Sequence, residues 1–119
     1  AAVYLATSRA MSVVEVLVHL RPEDLDRDYS LATFEIESSS ILTLDTADLP
    51  KNWKDYEHNE LLKKIGTKFI KEGEFLMLKV PSVIIEEECN FLLNPDHPEA
   101  KNIKQLSKRF FRFDARFKP

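Results

Sequence analysis

Four polar side chains set among apolar neighbours, Tyr4, Glu15, Ser82 and Asn90, are the residues best suited by type to do chemistry in this 119-residue chain. Glu15 is the only acid in the first 22 residues and has Val14 and Val16 beside it. It falls in the series Ser8, Ser12, Glu15, His19, whose spacings of four, three and four put these residues on one face of a helix. A carboxylate so placed either occupies the water-facing seam of a core helix or lines a cleft. Tyr4 lies on the strand that feeds this helix, Ser82 ends an apolar strand, and Asn90 opens the next. Each also has an ordinary explanation, as a core aromatic with its hydroxyl satisfied or as a turn residue.

Other chemistries find less support. The three histidines, His19, His58 and His97, form no HExxH pair and have no cysteine pair to join, so a metal site is not expected. Ser82 has no nucleophile elbow around it, which leaves a serine triad without a local signature. Gly66 and Gly73 are the only glycines, against an ordinary share of about 7%. Neither a GxxxxGK[ST] phosphate loop nor a GxGxxG dinucleotide turn can be written with them. A nucleotide bound here would therefore not be held by a glycine-rich loop.

The elements that must position these residues follow from periodicity. Val3 to Leu5 reads as a short strand, with Thr7 or Ser8 as the N-cap of a helix running through Leu20. Residues 30–38 alternate as a half-buried strand with Phe34 and Ile36 on one face, and residues 41–44 form a second short strand. From about Asp55 to Lys71 the pattern is helical, Leu61, Leu62, Ile65, Phe69 and Ile70 marking the buried face, with Gly73 as C-terminal cap. Residues 75–80 read as a central strand, interrupted at Pro81-Ser82 and continued by Val83 to Ile85. Residues 90–95 form another short strand, residues 96–103 a loop or short helix, and Phe111, Phe113, Ala115 and Phe117 a final strand alternating with basic residues. Several short strands, two main helices and no regular βαβ alternation predict an α+β fold in a single domain spanning 1–119.

Composition is that of a globular chain, 44% hydrophobic and 31% charged, with a mild net charge of −3. The charge is uneven: residues 101–119 carry seven Lys or Arg against one Asp. Strict alternation there points the phenylalanines inward and the bases into water, so direct nucleic-acid binding is not expected. One cysteine, Cys89, suits a reducing compartment. No apolar run is long enough to span a membrane and no secretory leader is legible, so a cytoplasmic location is expected.

A set of short motifs then occurs in order: YLATSRAMSVVEVLVHL from Tyr4, LPxxW at Leu49, Pro50 and Trp53, Gly66 with Phe69, LKVPS ending at Ser82, NxLLNPxHP from Asn90 to Pro98, and FRFDARF near the end. No single one is specific, but the ordered set resembles the RES-domain family, the toxin half of RES–Xre toxin–antitoxin pairs, along nearly the whole chain. The resemblance implies an ADP-ribosyltransferase-like core of short mixed and antiparallel strands with two main helices. It also implies an activity that degrades NAD+ by cleaving the nicotinamide–ribose bond, with phosphate or water as acceptor and no metal. On that resemblance Glu15 matches the catalytic glutamate and Tyr4 the tyrosine that packs against the nicotinamide. Ser82 matches a serine of the NAD+ site, and Asn90 a residue that binds NAD+ or shapes the fold. Glycosidic cleavage develops oxocarbenium character at the ribose, which a nearby carboxylate stabilises. An aromatic ring fixes the leaving group by stacking.

One departure stands out. Members of the family carry, upstream of this tyrosine, an arginine-containing segment that grips the NAD+ pyrophosphate, and this chain begins Ala-Ala three residues before Tyr4. An N-terminally truncated RES-like domain is therefore expected, with an exposed sheet edge or apolar surface that a homodimer partner would cover. The expected partner from the resemblance is an Xre-like antitoxin that occludes the NAD+ cleft. A reading of a different class is a catalytically inactive RES-like module acting through protein contacts.

Overall fold

A computed structural model describes residues 2–55 and 60–118, and these form two compact units. His58 lies outside the described residues, whereas Asp55, the expected start of the second helix, is described and is not helical. Among the described residues, two α-helices and two sheets make an α+β fold.

The first unit comprises residues 1–7 and 38–101. Its sheet contains β1 (Val3–Ala6), β3 (Ile41–Thr43), β4 (Met77–Pro81) and β5 (Cys89–Leu93) in the order β1-β5-β4-β3. β5 pairs antiparallel with both β1 and β4, whereas β3 runs parallel to β4. The helix α2 (Glu60–Glu72) lies in the chain between the parallel pair, as a crossover must. Phe69 of α2 is buried with Leu78 and Leu92 on one sheet face, and Ile65, Ile70 and Val80 pack around them. Leu61, expected on the buried face, is 39% exposed, because packing on Leu78 and Leu92 begins one turn later at Ile65. Gly73 ends the helix as expected: its φ of 61° is left-handed and its N–H donates to the Phe69 carbonyl at 3.1 Å.

Val83 to Ile85 do not continue the central strand. They form the turn between β4 and β5, with the three side chains 42%, 41% and 37% exposed. Pro81 has no N–H to extend the ladder, and the next residue turns the chain: Ser82 N–H donates to the Glu88 carbonyl at 2.9 Å, closing the hairpin.

The second unit comprises residues 8–37 and 102–119. It contains α1 (Arg9–Leu17) and a two-stranded antiparallel ribbon of β2 (Tyr29–Glu35) with β6 (Lys104–Phe111). Ser8, not Thr7, caps α1: its Oγ accepts from Met11 N–H at 3.1 Å. The helix stops at Leu17 rather than Leu20. Its end tightens into i→i−3 bonds from His19 to Val16 and Leu20 to Leu17, and Pro22 holds Arg21 in extended backbone. His19 therefore drops off the polar stripe. Asp24, buried in the short 3₁₀ turn Pro22–Asp26, accepts from Arg21 N–H through Oδ2 at 3.1 Å and pairs with Arg27 through Oδ1 at 3.3 Å. The Arg21 amide, above all, holds its carboxyl below the ordinary aspartate range.

Two strand expectations are corrected here. β2 ends at Glu35 and its pairing shifts between Thr33 and Phe34, so Tyr29, Leu31 and Thr33 form the half-buried face while Phe34 is exposed. The final strand is β6, which ends at Phe111 where the expected strand begins. Beyond it the aromatic residues cluster instead of alternating. Phe113 is buried and meets Tyr29, Phe111 and Phe117 edge-on, at centroid distances of 5.2, 5.2 and 6.2 Å. Asp114 caps a 3₁₀ turn over Ala115–Phe117. Aromatic edge-to-face packing at one centre outcompeted period-two pairing.

Candidate active site

Tyr4 and Asn90 share one face of the four-stranded sheet. Tyr4 lies opposite Leu92 and Asn90 opposite Ala6, so the two are diagonal neighbours across the β1–β5 pair, on the face where Leu92 packs beneath α2. β1 is an edge strand of this sheet, and the Tyr4 side chain is left 77% exposed. That exposure removes the explanation of Tyr4 as a core aromatic. Its ring stands beside a hollow of about 560 Å³ between β1 and α2, floored by Leu92 and walled on the helix side by Lys63, Gly66, Thr67 and Lys71.

Asn90 is half-buried, and its Oδ1 is inaccessible with no hydrogen-bond partner among the described residues. A buried carbonyl oxygen without a donor is costly, and such groups in native proteins call for an explanation. A ligand N–H or O–H reaches the atom only if the neighbouring side chains shift.

Ser82 is placed one step beyond the β4–β5 ladder at the Asn90 end, since Val80 pairs with Asn90 and Pro81 with Cys89. It is 1% exposed, and its Oγ accepts from Ile84 N–H and Ile85 N–H, each at 3.1 Å. The hydroxyl thus fixes the turn that follows, as an ST-type motif. The sheet brings Tyr4, Asn90 and Ser82 into one unit by strand register alone.

Glu15 belongs to the other unit. It is half-buried on α1, three residues on from Ser12, which is also half-buried and whose Oγ donates to the Arg9 carbonyl at 2.7 Å. Met11 is the buried residue of that helix.

His97 has a structural role. His97 Nδ1 accepts from Glu99 N–H at 3.1 Å and Nε2 faces the Glu74 carbonyl at 3.3 Å, so both ring nitrogens are engaged with backbone. Among the described residues no group of three His, Cys, Asp or Glu converges to hold a metal. Sequence reasoning passed over Lys63, Thr67 and Lys71. Their four-residue spacing puts them on one helical face, a signal legible in the chain but indistinguishable there from a solvated stripe.

Comparison with known proteins agrees with the ordered motifs. The model of the RES domain family matches residues 1–114. The chain is 34% identical to Toxin Res of Yersinia enterocolitica, over 99% of this chain and 78% of that protein. It is also 34% identical to the Prs ADP-ribosylating toxin of a Sphingobium strain, over 98% of this chain and 74% of that protein. Toxin Res of Photorhabdus laumondii is 34% identical over 97% and 74% respectively. With a family model spanning nearly the whole sequence and relatives one-third identical across it, this chain belongs to the RES domain family.

Proposed function

We propose that this chain is the toxin domain of a RES-type pair and consumes NAD+ by breaking the nicotinamide–ribose bond. Its core is of the ADP-ribosyltransferase-like kind, and the acceptor is water or phosphate. The observation that supports this most directly is the face shared by Tyr4 and Asn90: an exposed aromatic ring beside an orphan hydrogen-bond acceptor. A nicotinamide carboxamide has the complementary parts, a flat ring and an N–H donor. The names of the relatives, two Res toxins and an ADP-ribosylating toxin, point to the same class of activity.

In this reading the ring of Tyr4 stacks on the nicotinamide, and Asn90 Oδ1, uncovered by a local side-chain shift, accepts from its carboxamide. Ser82 holds the turn beside Asn90 and so keeps that acceptor in place. The C1′–N bond breaks with its electron pair leaving on nicotinamide, and positive charge develops on C1′ and the ring oxygen. By its match to the catalytic glutamate of the family, Glu15 is assigned the stabilisation of that charge, and an oxygen of water or phosphate closes onto C1′. Such a chain would act on the cytoplasmic NAD+ pool and be held in check by an Xre-like antitoxin over the cleft.

Incubating the purified chain with NAD+, with and without phosphate, and following nicotinamide tests this. Release should fall on the order of 10²–10³-fold in Glu15→Gln, with the circular dichroism spectrum unchanged. Full turnover by that variant would overturn the assignment.

A further inference from the structure

The motif NxLLNPxHP, from Asn90 to Pro98, supplies Asn90 to the candidate site and leaves its second half without a part in the reaction. That half builds a chain of hydrogen bonds across three segments of the first unit. His97 immediately precedes the 3₁₀ turn Pro98–Asn102, and its Nδ1 takes the Glu99 N–H at 3.1 Å, in the manner of an N-cap. Its Nε2 lies 3.3 Å from the Glu74 carbonyl, in the connection between α2 and β4. Glu99 Oε1 accepts from Ser38 Oγ at 3.2 Å, and Ser38 Oγ accepts in turn from Ser40 N–H at 2.9 Å. The chain passes between the two units at residues 37–38 and 101–102, so the Ser38–Glu99 bond ties together the first unit's side of both passages.

These contacts admit one form of the ring. Nδ1 accepts an N–H and is therefore unprotonated, and Nε2 carries the hydrogen that it donates to Glu74, so the imidazole is neutral. Protonation sets an Nδ1–H against the Glu99 N–H, two donors facing each other, and places a cation at the start of a helical turn. The ring is half-buried, within reach of solvent protons. The charged residues on the segments joined by this network are Glu74 after α2, Asp96, Glu99 and Lys101 about the turn, and Glu37 beside Ser38. Acids predominate, so an imidazolium is balanced locally and its cost falls on the bond to the Glu99 N–H.

We propose that His97 is a proton-operated latch: neutral, it caps the turn Pro98–Asn102 and keeps Glu99 on Ser38; protonated, it gives up the Glu99 N–H and releases both passages. The latch is closed at high pH and opens as pH falls through the range in which imidazoles charge, about 5–8. Carboxylates titrate lower, at about pH 4, so an opening that coincides with the ring is not theirs. None of this depends on what the candidate active site binds.

NMR on the full chain reads the latch directly. At about pH 8 the ring 15N signals of His97 should be those of the Nε2–H tautomer. Lowering the pH to about 5.5 should reduce the protection of the Glu99 amide about tenfold relative to free-peptide exchange, with Ser40 following and the midpoint matching the His97 ring titration. His97→Gln, whose side-chain carbonyl accepts but does not titrate, should remove that pH dependence. An Nδ1–H tautomer overturns the proposal, as does Glu99 protection that stays constant while the ring titrates; neither reading needs a variant. The same pH dependence in His97→Gln overturns it as well, by placing the proton elsewhere.

Discussion

Ser82 shows how one hydroxyl does positioning work that its residue type does not announce. Its Oγ takes two consecutive amides, of Ile84 and Ile85, at a point where Pro81 has just ended the ladder. Ser82 itself is 1% exposed, so removing its hydroxyl leaves a buried gap and takes from two turn amides their acceptor. Ser82→Ala should therefore lower stability by about 1–3 kcal/mol, read by denaturant titration. It should also loosen the turn at 83–88, read as faster amide exchange at Ile84 and Ile85; unaltered exchange there would show that the turn holds itself. Asn90 is the opposite case, a buried acceptor that the fold itself leaves unused. Both residues were visible in the sequence as candidates, because polar residues at strand ends are conspicuous. Their division of labour was not, because it depends on which backbone groups the hairpin leaves unpaired.

At the scale of elements, α2 is the best-determined piece of the chain. Its apolar spacing buries Phe69 on Leu78 and Leu92, and Gly73 closes it in the left-handed conformation expected of a C-cap. Gly73→Ala should cost about 1 kcal/mol, measured as a shift in thermal midpoint, because a Cβ is strained at positive φ whatever the space around it. A Cβ there would meet nothing closer than 3.9 Å, so a larger penalty would have to come from somewhere other than a clash. The strands were less legible. Alternation of Phe111, Phe113 and Phe117 with basic residues is the pattern of a half-buried strand, yet the phenylalanines gather around Phe113 and Tyr29 instead. The run Val83 to Ile85 has strand composition but no partner strand, and it turns. Composition reports β preference; pairing is a property of two segments.

Across the whole molecule, the two units differ in how their secondary structure is supported. The first has a four-stranded sheet with a helix packed on Leu78 and Leu92, both nearly inaccessible. The second has a two-stranded ribbon in which residues 104–110 of β6 are all exposed, Leu106 and Phe110 at 60% each. A ribbon of two strands has little of its own to hold it. Amide exchange should follow: Leu78 and Leu92 should be protected roughly 10²-fold more than the paired amides of β2 and β6. Equal protection across both sheets would mean that the chain opens only as a whole.

The sequence by itself determined the α+β class, the cap at Gly73, an N-cap at Thr7 or Ser8, the α2 core face from Ile65 to Ile70, and, through its ordered motifs, the RES domain family. Each of these depends on residues near one another in the chain, or on a pattern that survives without knowing the contacts. Only the tertiary structure decided that Tyr4 is an exposed edge-strand ring, that Asn90 Oδ1 is buried without a donor among the described residues, and that Lys63 and Lys71 stand across a hollow from Tyr4. Exposure, orphaned acceptors and hollows are relations between segments dozens of residues apart. They are set by strand order and register, which local periodicity does not encode.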